Sequence, residues 1–236
     1  GGRRVLRGGR ISSYSVFDFF LRRVMKKTVL LHSCCAPCSA AILEWLLSND
    51  WEPVIFYYNP NIFPDAEYEV RKNEINAYAA KLGVRIIDGD WNHGGWREAV
   101  RGLEHEPERG ARCLACFRYR LLEAARVAHE QGIPVLTTSL ASSRWKRLDQ
   151  VSEAGRWAVS HYPDVEFWDR NWRKGGLQER RGALIRENHF YNQLYCGCEF
   201  SMAALKERRG RQSEEARADE AAARQRAACP ACGDGA

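Results

Sequence analysis

Short apolar runs alternate along the chain with segments of helical periodicity, and this alternation restricts the fold more than any other feature. The runs are rich in β-branched and aromatic residues, as buried strands are. They are TVLLH at 28–32, VIFYY at 54–58, VRIID at 84–88, PVLTTS at 134–139 and VEFW at 165–168. Apolar stripes with helical spacing lie between them, as at Ile75, Tyr78, Ala79 and Leu82. The sequence therefore predicts a three-layer α/β fold, with a parallel sheet of about five strands covered by helices on both faces.

The predicted strands and helices all lie in the central part of the 236-residue chain. Residues 1–24 contain six arginines and one aspartate and so carry most of the net charge of +6, and the sequence restarts plausibly at Met25. From Lys206 onward Glu, Arg, Ala and Gln dominate, a composition that cannot bury an apolar face. We therefore predict a flexible leader at 1–24, one catalytic α/β domain at 25–205 and a flexible charged tail at 206–236. A basic arm for RNA is the alternative for the leader.

Nine cysteines occur in four groups, and none of them stands alone in the sequence. The groups are Cys34, Cys35 and Cys38; Cys113 and Cys116; Cys196 and Cys198; and Cys229 and Cys232. No apolar run has the length of a membrane span, and no segment has the composition of a signal peptide. We therefore predict a cytoplasmic protein without a membrane partner. Because thiols stay reduced in that compartment, these cysteines indicate metal binding or redox chemistry rather than disulfides.

The first three cysteine groups are placed to meet at one end of the predicted sheet. Cys34, Cys35 and Cys38 follow the first strand and lead into a helix whose dipole should lower thiol pKa values. Cys113 and Cys116 begin the helix before the fourth strand, and Gly197 permits a tight bend between the remaining pair, Cys196 and Cys198. Ligands of open parallel sheets bind at the carboxyl ends of the strands, which is where loops after strands lie.

Seven sulfurs exceed the four that one tetrahedral zinc ion or one cubane cluster needs. The excess leaves three interpretations open: some thiols are spectators, a cluster lies beside a second metal, or redox-active thiols lie beside a cluster. Structural zinc and an iron–sulfur centre both fit the spacing. The turn after the first strand, HSCCAPCS, lacks the glycine-rich loop that cradles phosphates, which argues against nucleotide activation.

Several other side chains are candidates for substrate contacts. Asn59 and Asn61 follow the second strand as a turn or as a substrate clamp, and His32 and His93 are either satisfied structural histidines or proton donors. A basic set interleaved with tryptophans would suit phosphates and an extruded base. That set is Arg112, Arg118, Arg144, Lys146 and Arg147, with Trp91, Trp96 and Trp145.

Six motifs in order over about residues 27–203 resemble the cobalamin-independent epoxyqueuosine reductases. They are LLHSCCAPC, FYYNPNIFP, GDW, GLEHEPERGARCLACFRYRL, TTSL and QLYCGCEFSM. The resemblance implies an adenine-nucleotide hydrolase-like (HUP-type) fold and a [4Fe-4S] cluster with an additional iron ion. It also implies reduction of epoxyqueuosine in the anticodon loop of tRNA to queuosine, with electrons from an external one-electron donor.

The same resemblance implies a ligand set for this chain. The set comprises Cys34, Cys35, Asp90, Cys113, Cys116, Cys196 and Cys198, while the role of Cys38 stays open. Asp90 would hold the iron that activates the epoxide oxygen, and protons would come through water, His32 or His93. Two other functions remain as alternatives: a cluster-bearing thiol or sulfur-transfer enzyme, and a zinc-stabilised RNA-binding module.

Overall fold

The computed structural model describes residues 27–228, so the predicted leader and the Cys229–Cys232 pair lie outside the described residues. This part of the chain contains five strands and seven α-helices. The strands are β1 (Lys27–Ser33), β2 (Trp51–Tyr57), β3 (Arg85–Asp88), β4 (Val135–Thr138) and β5 (Glu166–Phe167). The helices are α1 (Ala36–Ser48), α2 (Asp65–Leu82), α3 (His93–Ala99), α4 (Ala111–Glu130), α5 (Leu148–Val159), α6 (Leu177–Glu187) and α7 (Glu199–Ala228). A 3-10 turn, Ser139–Ser142, follows β4.

The strands form one parallel sheet in the order β3-β2-β1-β4-β5. The last five residues of β1 are buried, as expected of a central strand covered on both faces. Helix α1 packs against α2 and α6, whereas α4 packs against α5, so the sheet lies between two helical layers. The predicted α/β class, strand number and strand positions are therefore confirmed. The short helix α3, between β3 and α4, was not predicted.

The strand order creates a switch point beside β1. The chain proceeds from β1 to β2 and β3 on one side of the sheet and then crosses to β4 on the other side. In such sheets the crevice between the two diverging connections, at the carboxyl ends of the central strands, is the usual ligand site. Here that crevice lies where β1 ends at Ser33 and β4 ends at Thr138.

Helix α7 extends well beyond the boundary predicted at residue 205. Ser201 is buried, but side chains from Lys206 to Ala221 are exposed, which agrees with the lack of an apolar face in this segment. The predicted tail is thus helical up to Ala228. None of the helices between residues 27 and 228 combines the length and apolar character needed to cross a bilayer.

Candidate metal centre

The first cysteine group forms the turn from β1 into α1 at the switch point. The Cys34 amide donates to Ser139 Oγ at 2.9 Å, and the Ser139 hydroxyl donates to Cys34 Sγ at 3.3 Å, which ties this turn to the end of β4. Cys35 is the extended N-cap residue of α1, and Pro37 in the first turn favours helix initiation there. The helix therefore begins directly on the cysteines.

The sulfur atoms of Cys34, Cys35 and Cys38 all lie within 4.8 Å of one another. Cys34 Sγ and Cys35 Sγ are 3.8 Å apart, and all three thiols are buried and free of disulfides. Cys38, whose role the sequence left open, is thus part of the closest thiol group. Three buried sulfurs at this separation are suited to hold a soft metal centre.

The other two cysteine groups reach the same place. A cavity of about 550 Å³ is lined by five cysteines, Cys34, Cys38, Cys113, Cys196 and Cys198. Cys35 does not line the cavity, although its sulfur contacts that of Cys34. Cys116 is buried on the neighbouring side of α4, where it packs with Trp96 and Val100. The structure therefore brings the three predicted groups to one end of the sheet, with Cys35 and Cys116 set behind the cavity surface.

A buried arginine that sequence reasoning missed positions the third group. Arg71 of α2 is 2% exposed, and its guanidinium donates to the carbonyls of Cys196 and Tyr195 at 3.2 and 3.4 Å. The same guanidinium pairs with Glu67 at 2.6 Å. Gly197 has φ of 123°, and a Cβ there would lie 3.0 Å from the guanidinium of Arg71, so glycine is required where the loop crosses this arginine. Arg71 shares the apolar stripe of Ile75 and Tyr78, which is the signal that could have revealed it.

The thiols differ in acidity. Hydrogen bonds from Cys35 and Cys38 hold the pKa of Cys34 well below its ordinary value, which Lys146 assists and burial opposes. Burial raises the pKa of Cys35 well above its ordinary value, and the hydrogen bond with Cys34 raises the pKa of Cys38. The predicted lowering of thiol pKa in this turn therefore applies to Cys34 and not to its two neighbours.

Burial also disfavours the thiolate forms of Cys113 and Cys198 in the cavity. Burial raises the pKa of Cys113 to about 11 and the pKa of Cys198 to about 12. A thiol must lose its proton to ligate a metal, so positive charge nearby is needed to favour ligation.

That positive charge lines the cavity. Ten of the lining side chains are arginine or lysine, and Glu108 is the one acidic side chain among them. Burial lowers the pKa of Lys146, but the charges of Cys196, Cys34 and Cys38 outweigh burial and raise the pKa above its ordinary value.

Arg120 is buried and donates to Asn59 Oδ1, while Asn59 Nδ2 donates to the Ser33 carbonyl at 2.9 Å. Asn59 and Asn61 both line the cavity, on the ligand side where the sequence predicted them.

His32 has a structural environment. It is fully buried, with Nε2 3.1 Å from the Tyr58 carbonyl and Nδ1 2.8 Å from Thr138 Oγ1. Because a carbonyl only accepts, Nε2 carries the proton and Nδ1 accepts from the Thr138 hydroxyl. Burial, assisted by Arg120, lowers the pKa of His32 to about 3, so the ring is neutral and joins the ends of β1, β2 and β4.

His93 and Asp90 lie outside the cysteine cavity. His93 Nδ1 lies 2.7 Å from the Pro60 carbonyl, and its ring stacks against Trp91, Trp96 and Phe63. Asp90 is exposed beyond β3, an edge strand, and is not among the residues lining the cavity. β2 separates β3 from the cysteine turn, so the ligand role that the resemblance implies for Asp90 stays a prediction.

The predicted basic and aromatic set divides in two. Arg112, Arg144, Trp145, Lys146 and Arg147 line the cavity. The others do not: Arg118 pairs with Glu153 against Trp157, Trp91 donates to the Ile62 carbonyl, and Trp96 is 1% exposed. Trp145 is therefore the one tryptophan of the predicted set that is placed to stack on a ligand in this cavity.

Comparison with known proteins agrees with the motif pattern. The family model described as "Epoxyqueuosine reductase QueH" matches residues 29–204. A relative named epoxyqueuosine reductase QueH from Acinetobacter baylyi is 46% identical over 174 residues, covering 74% of this chain and 80% of the relative. Relatives of the same name from Histophilus somni and Haemophilus influenzae are each 44% identical over 190 residues, covering 79% of this chain and 78% of the relative. The chain therefore belongs to the QueH family of epoxyqueuosine reductases.

Proposed function

We propose that this epoxyqueuosine reductase works at an iron–sulfur centre held by the cysteines of its cavity, where it converts epoxyqueuosine in tRNA to queuosine. The observation that carries the proposal is the group of three free, buried sulfurs within 4.8 Å of one another, at the switch point of a parallel sheet. Two further cysteine pairs approach the same cavity from α4 and from the loop before α7.

The donor set fits a centre larger than one zinc ion. Tetrahedral zinc uses four ligands, whereas five cysteines line the cavity and two more are buried behind it. Thiolates are soft ligands that suit iron–sulfur clusters, and the arginines and lysine of the cavity offset their negative charge. We assign the centre to Cys34, Cys35, Cys38, Cys113, Cys116, Cys196 and Cys198, with Cys38 in the place that the resemblance gave to Asp90.

The reaction itself defines what the site has to supply. Conversion of an epoxide to an alkene consumes two electrons and two protons and releases one water molecule. When bound, a [4Fe-4S] cluster with an adjacent iron ion provides single-electron transfer and a Lewis-acid position. An external one-electron donor replenishes the electrons.

The chain's own side chains bind and orient the substrate. The Lys146 ammonium group lies beside Cys34, Cys38 and Cys196, and we assign it a hydrogen bond to the epoxide oxygen. Asn61 lines the cavity, and its buried Oδ1 has no hydrogen-bond partner among residues 27–228, so we assign it as the acceptor for a substrate hydroxyl or amino group. We assign proton delivery to water, because neither His32 nor His93 is among the residues that line the cavity.

A modified anticodon loop is a single-stranded substrate that a local basic surface can bind without unwinding a duplex. A cytoplasmic location suits this substrate and the reduced state of the thiols.

The test is turnover without cobalamin. Protein prepared under nitrogen is incubated with tRNA that contains epoxyqueuosine and with a strong one-electron donor, and the nucleosides are then analysed by mass. We expect the epoxide nucleoside to lose one oxygen atom in the presence of wild-type protein and to persist with Cys34→Ser. An intact epoxide with iron-replete wild-type protein that binds the tRNA normally would refute the proposal.

A further inference from the structure

The mouth of the cysteine cavity contains an exposed tryptophan among cations. Trp145 lines the cavity and yet is 62% exposed, the largest exposure of any large apolar side chain described. Exposed cations surround the same opening: Arg144 and Arg147 beside it in sequence, and Arg208 and Arg209 from the third and fourth turns of α7. The opening therefore combines one aromatic face with concentrated positive charge.

The backbone that carries Trp145 is fixed at several points. Arg109 Nε donates to the Trp145 carbonyl at 2.8 Å, and Arg173 donates to the Lys146 carbonyl at 2.7 Å. The Trp145 amide donates to Ser143 Oγ at 3.4 Å. These bonds hold the loop independently of the indole ring, so the ring is presented on a rigid support.

Most of the cations around the ring have no carboxylate partner among the described residues. Arg144 lies over the Trp145 ring at 5.0 Å, an arrangement that orients the indole, and the side chain remains 62% exposed. Within residues 27–228, no carboxylate forms an ion pair with Arg144, Lys146, Arg208 or Arg209, whereas Arg147 pairs with Asp149. An aromatic platform beside unpaired cations is the combination that binds single-stranded nucleic acid, since bases stack on the ring and phosphates contact the cations.

We propose that Trp145 is a stacking platform for an unpaired RNA base next to the nucleotide that enters the cavity, with Arg208 and Arg209 contacting the flanking phosphates. This inference rests on the proposed function for the identity of the RNA. It identifies Trp145 as the residue that holds the RNA strand at the mouth of the cavity, and it gives the part of α7 around Arg208 and Arg209 a role in substrate binding.

The test measures binding of a synthetic anticodon stem-loop RNA to the full chain over a series of salt concentrations. Loss of one base–aromatic stack should weaken binding about 5- to 150-fold in Trp145→Ala. The salt dependence of that variant should match wild type because no charge is removed. Trp145→Phe should retain most of the affinity. Arg208→Ala with Arg209→Ala should lower the slope of log K against log salt by about 1.4, or about 0.7 for each single-strand phosphate contact.

Two control variants lie outside the cavity. Val70→Ala removes exposed apolar surface, Arg126→Ala removes a surface charge, and both should bind like wild type. Trp145→Ala with unchanged affinity, or Trp145→Phe as weak as Trp145→Ala, would overturn the platform. This outcome is distinct from failure of the proposed function, in which the RNA binds with the predicted variant pattern but its epoxide is never reduced.

Discussion

The Cys38 sulfur lies within 4.8 Å of the sulfurs of Cys34 and Cys35, whereas Asp90 is exposed and does not line the cavity. Cys38 is therefore placed beside the thiols of the proposed centre, and the ligand role that the resemblance implies for Asp90 stays a prediction. Spacing could show that Asp90 follows a strand. It could not show that the strand would be at the sheet edge, because strand order depends on packing of the whole domain.

The first prediction compares these two residues. We expect Cys38→Ser to lose most bound iron and at least about tenfold in turnover, because a hydroxyl is a poorer ligand for iron–sulfur centres than a thiolate. Asp90→Asn should keep both close to wild type. Iron analysis and single-turnover assays of anaerobically prepared proteins provide the measurement. Iron loss in Asp90→Asn with retention in Cys38→Ser would restore the assignment given by the resemblance.

The second prediction concerns pH and the buried histidine. His32 has a folded-state pKa of about 3, below the unfolded value of about 6.5, so the unfolded chain binds a proton that the folded chain rejects. The stability that neutral His32 contributes is full above pH 6.5 and is lost as pH falls toward 3. Between about pH 7.5 and about pH 5, we expect wild type to lose about 2 kcal/mol more than His32→Gln. Denaturant unfolding at both pH values measures this difference, and equal losses in the two proteins would contradict it.

At the scale of elements, the loop before α7 depends on helix α2. Arg71 donates to two carbonyls of the Tyr195–Cys198 loop and pairs with Glu67, which is also mostly buried. Removing one partner of a buried ion pair leaves the other charge uncompensated. We therefore expect Arg71→Ala to lower the free energy of unfolding by about 3 kcal/mol and to reduce iron binding. Thermal or denaturant unfolding measures the loss.

The matched control for Arg71 is Arg126→Ala, which breaks a surface pair with Glu123 and Glu130. Exposed pairs contribute at most about 1 kcal/mol, so this variant should retain its iron and nearly all its stability. If both arginine variants lost equal stability and kept their iron, Arg71 would have no special role in positioning the loop.

Helix α7 provides a prediction about the boundary at residue 205. Arg208, Arg209 and Gln212 line the cavity, whereas no described residue from Ser213 onward lines it. A chain ending after Gln212 should fold, retain iron and bind anticodon stem-loop RNA like the full chain. A chain ending after Leu205 should fold and retain iron but bind this RNA more weakly. Equal RNA affinity of the two truncated chains would show that this part of α7 does not contact the substrate.

At the scale of the whole molecule, the sequence could predict the sheet and the end of it at which the cysteines meet, because both follow local rules. The runs around Leu30 and Ile55 match the period and composition of buried strands, and residues after parallel strands meet at one edge. The sequence could not predict the contacts of Arg71 and Arg120. Both arginines lie on helix faces whose spacing indicates apolar core. Their partners are a backbone carbonyl and a side-chain amide oxygen, each more than sixty residues away in the sequence.

The charge distribution also emerges only in the folded molecule. Outside residues 1–24 the sequence is nearly neutral, so its total charge alone does not indicate an RNA substrate. Folding gathers ten cationic side chains and one acidic side chain around a single cavity, while many of the other charges pair on the surface. Local concentration, rather than net charge, therefore accounts for an RNA substrate.

The central claim is that the cysteine cavity holds an iron–sulfur centre, and analysis of iron, zinc and acid-labile sulfide in anaerobically prepared full-length protein tests it most directly. We predict a brown protein with more than four irons per chain, since a [4Fe-4S] cluster and an additional iron are both expected. Sulfide should accompany the iron, and zinc should be absent. A colourless protein with stoichiometric zinc and no sulfide would contradict the account.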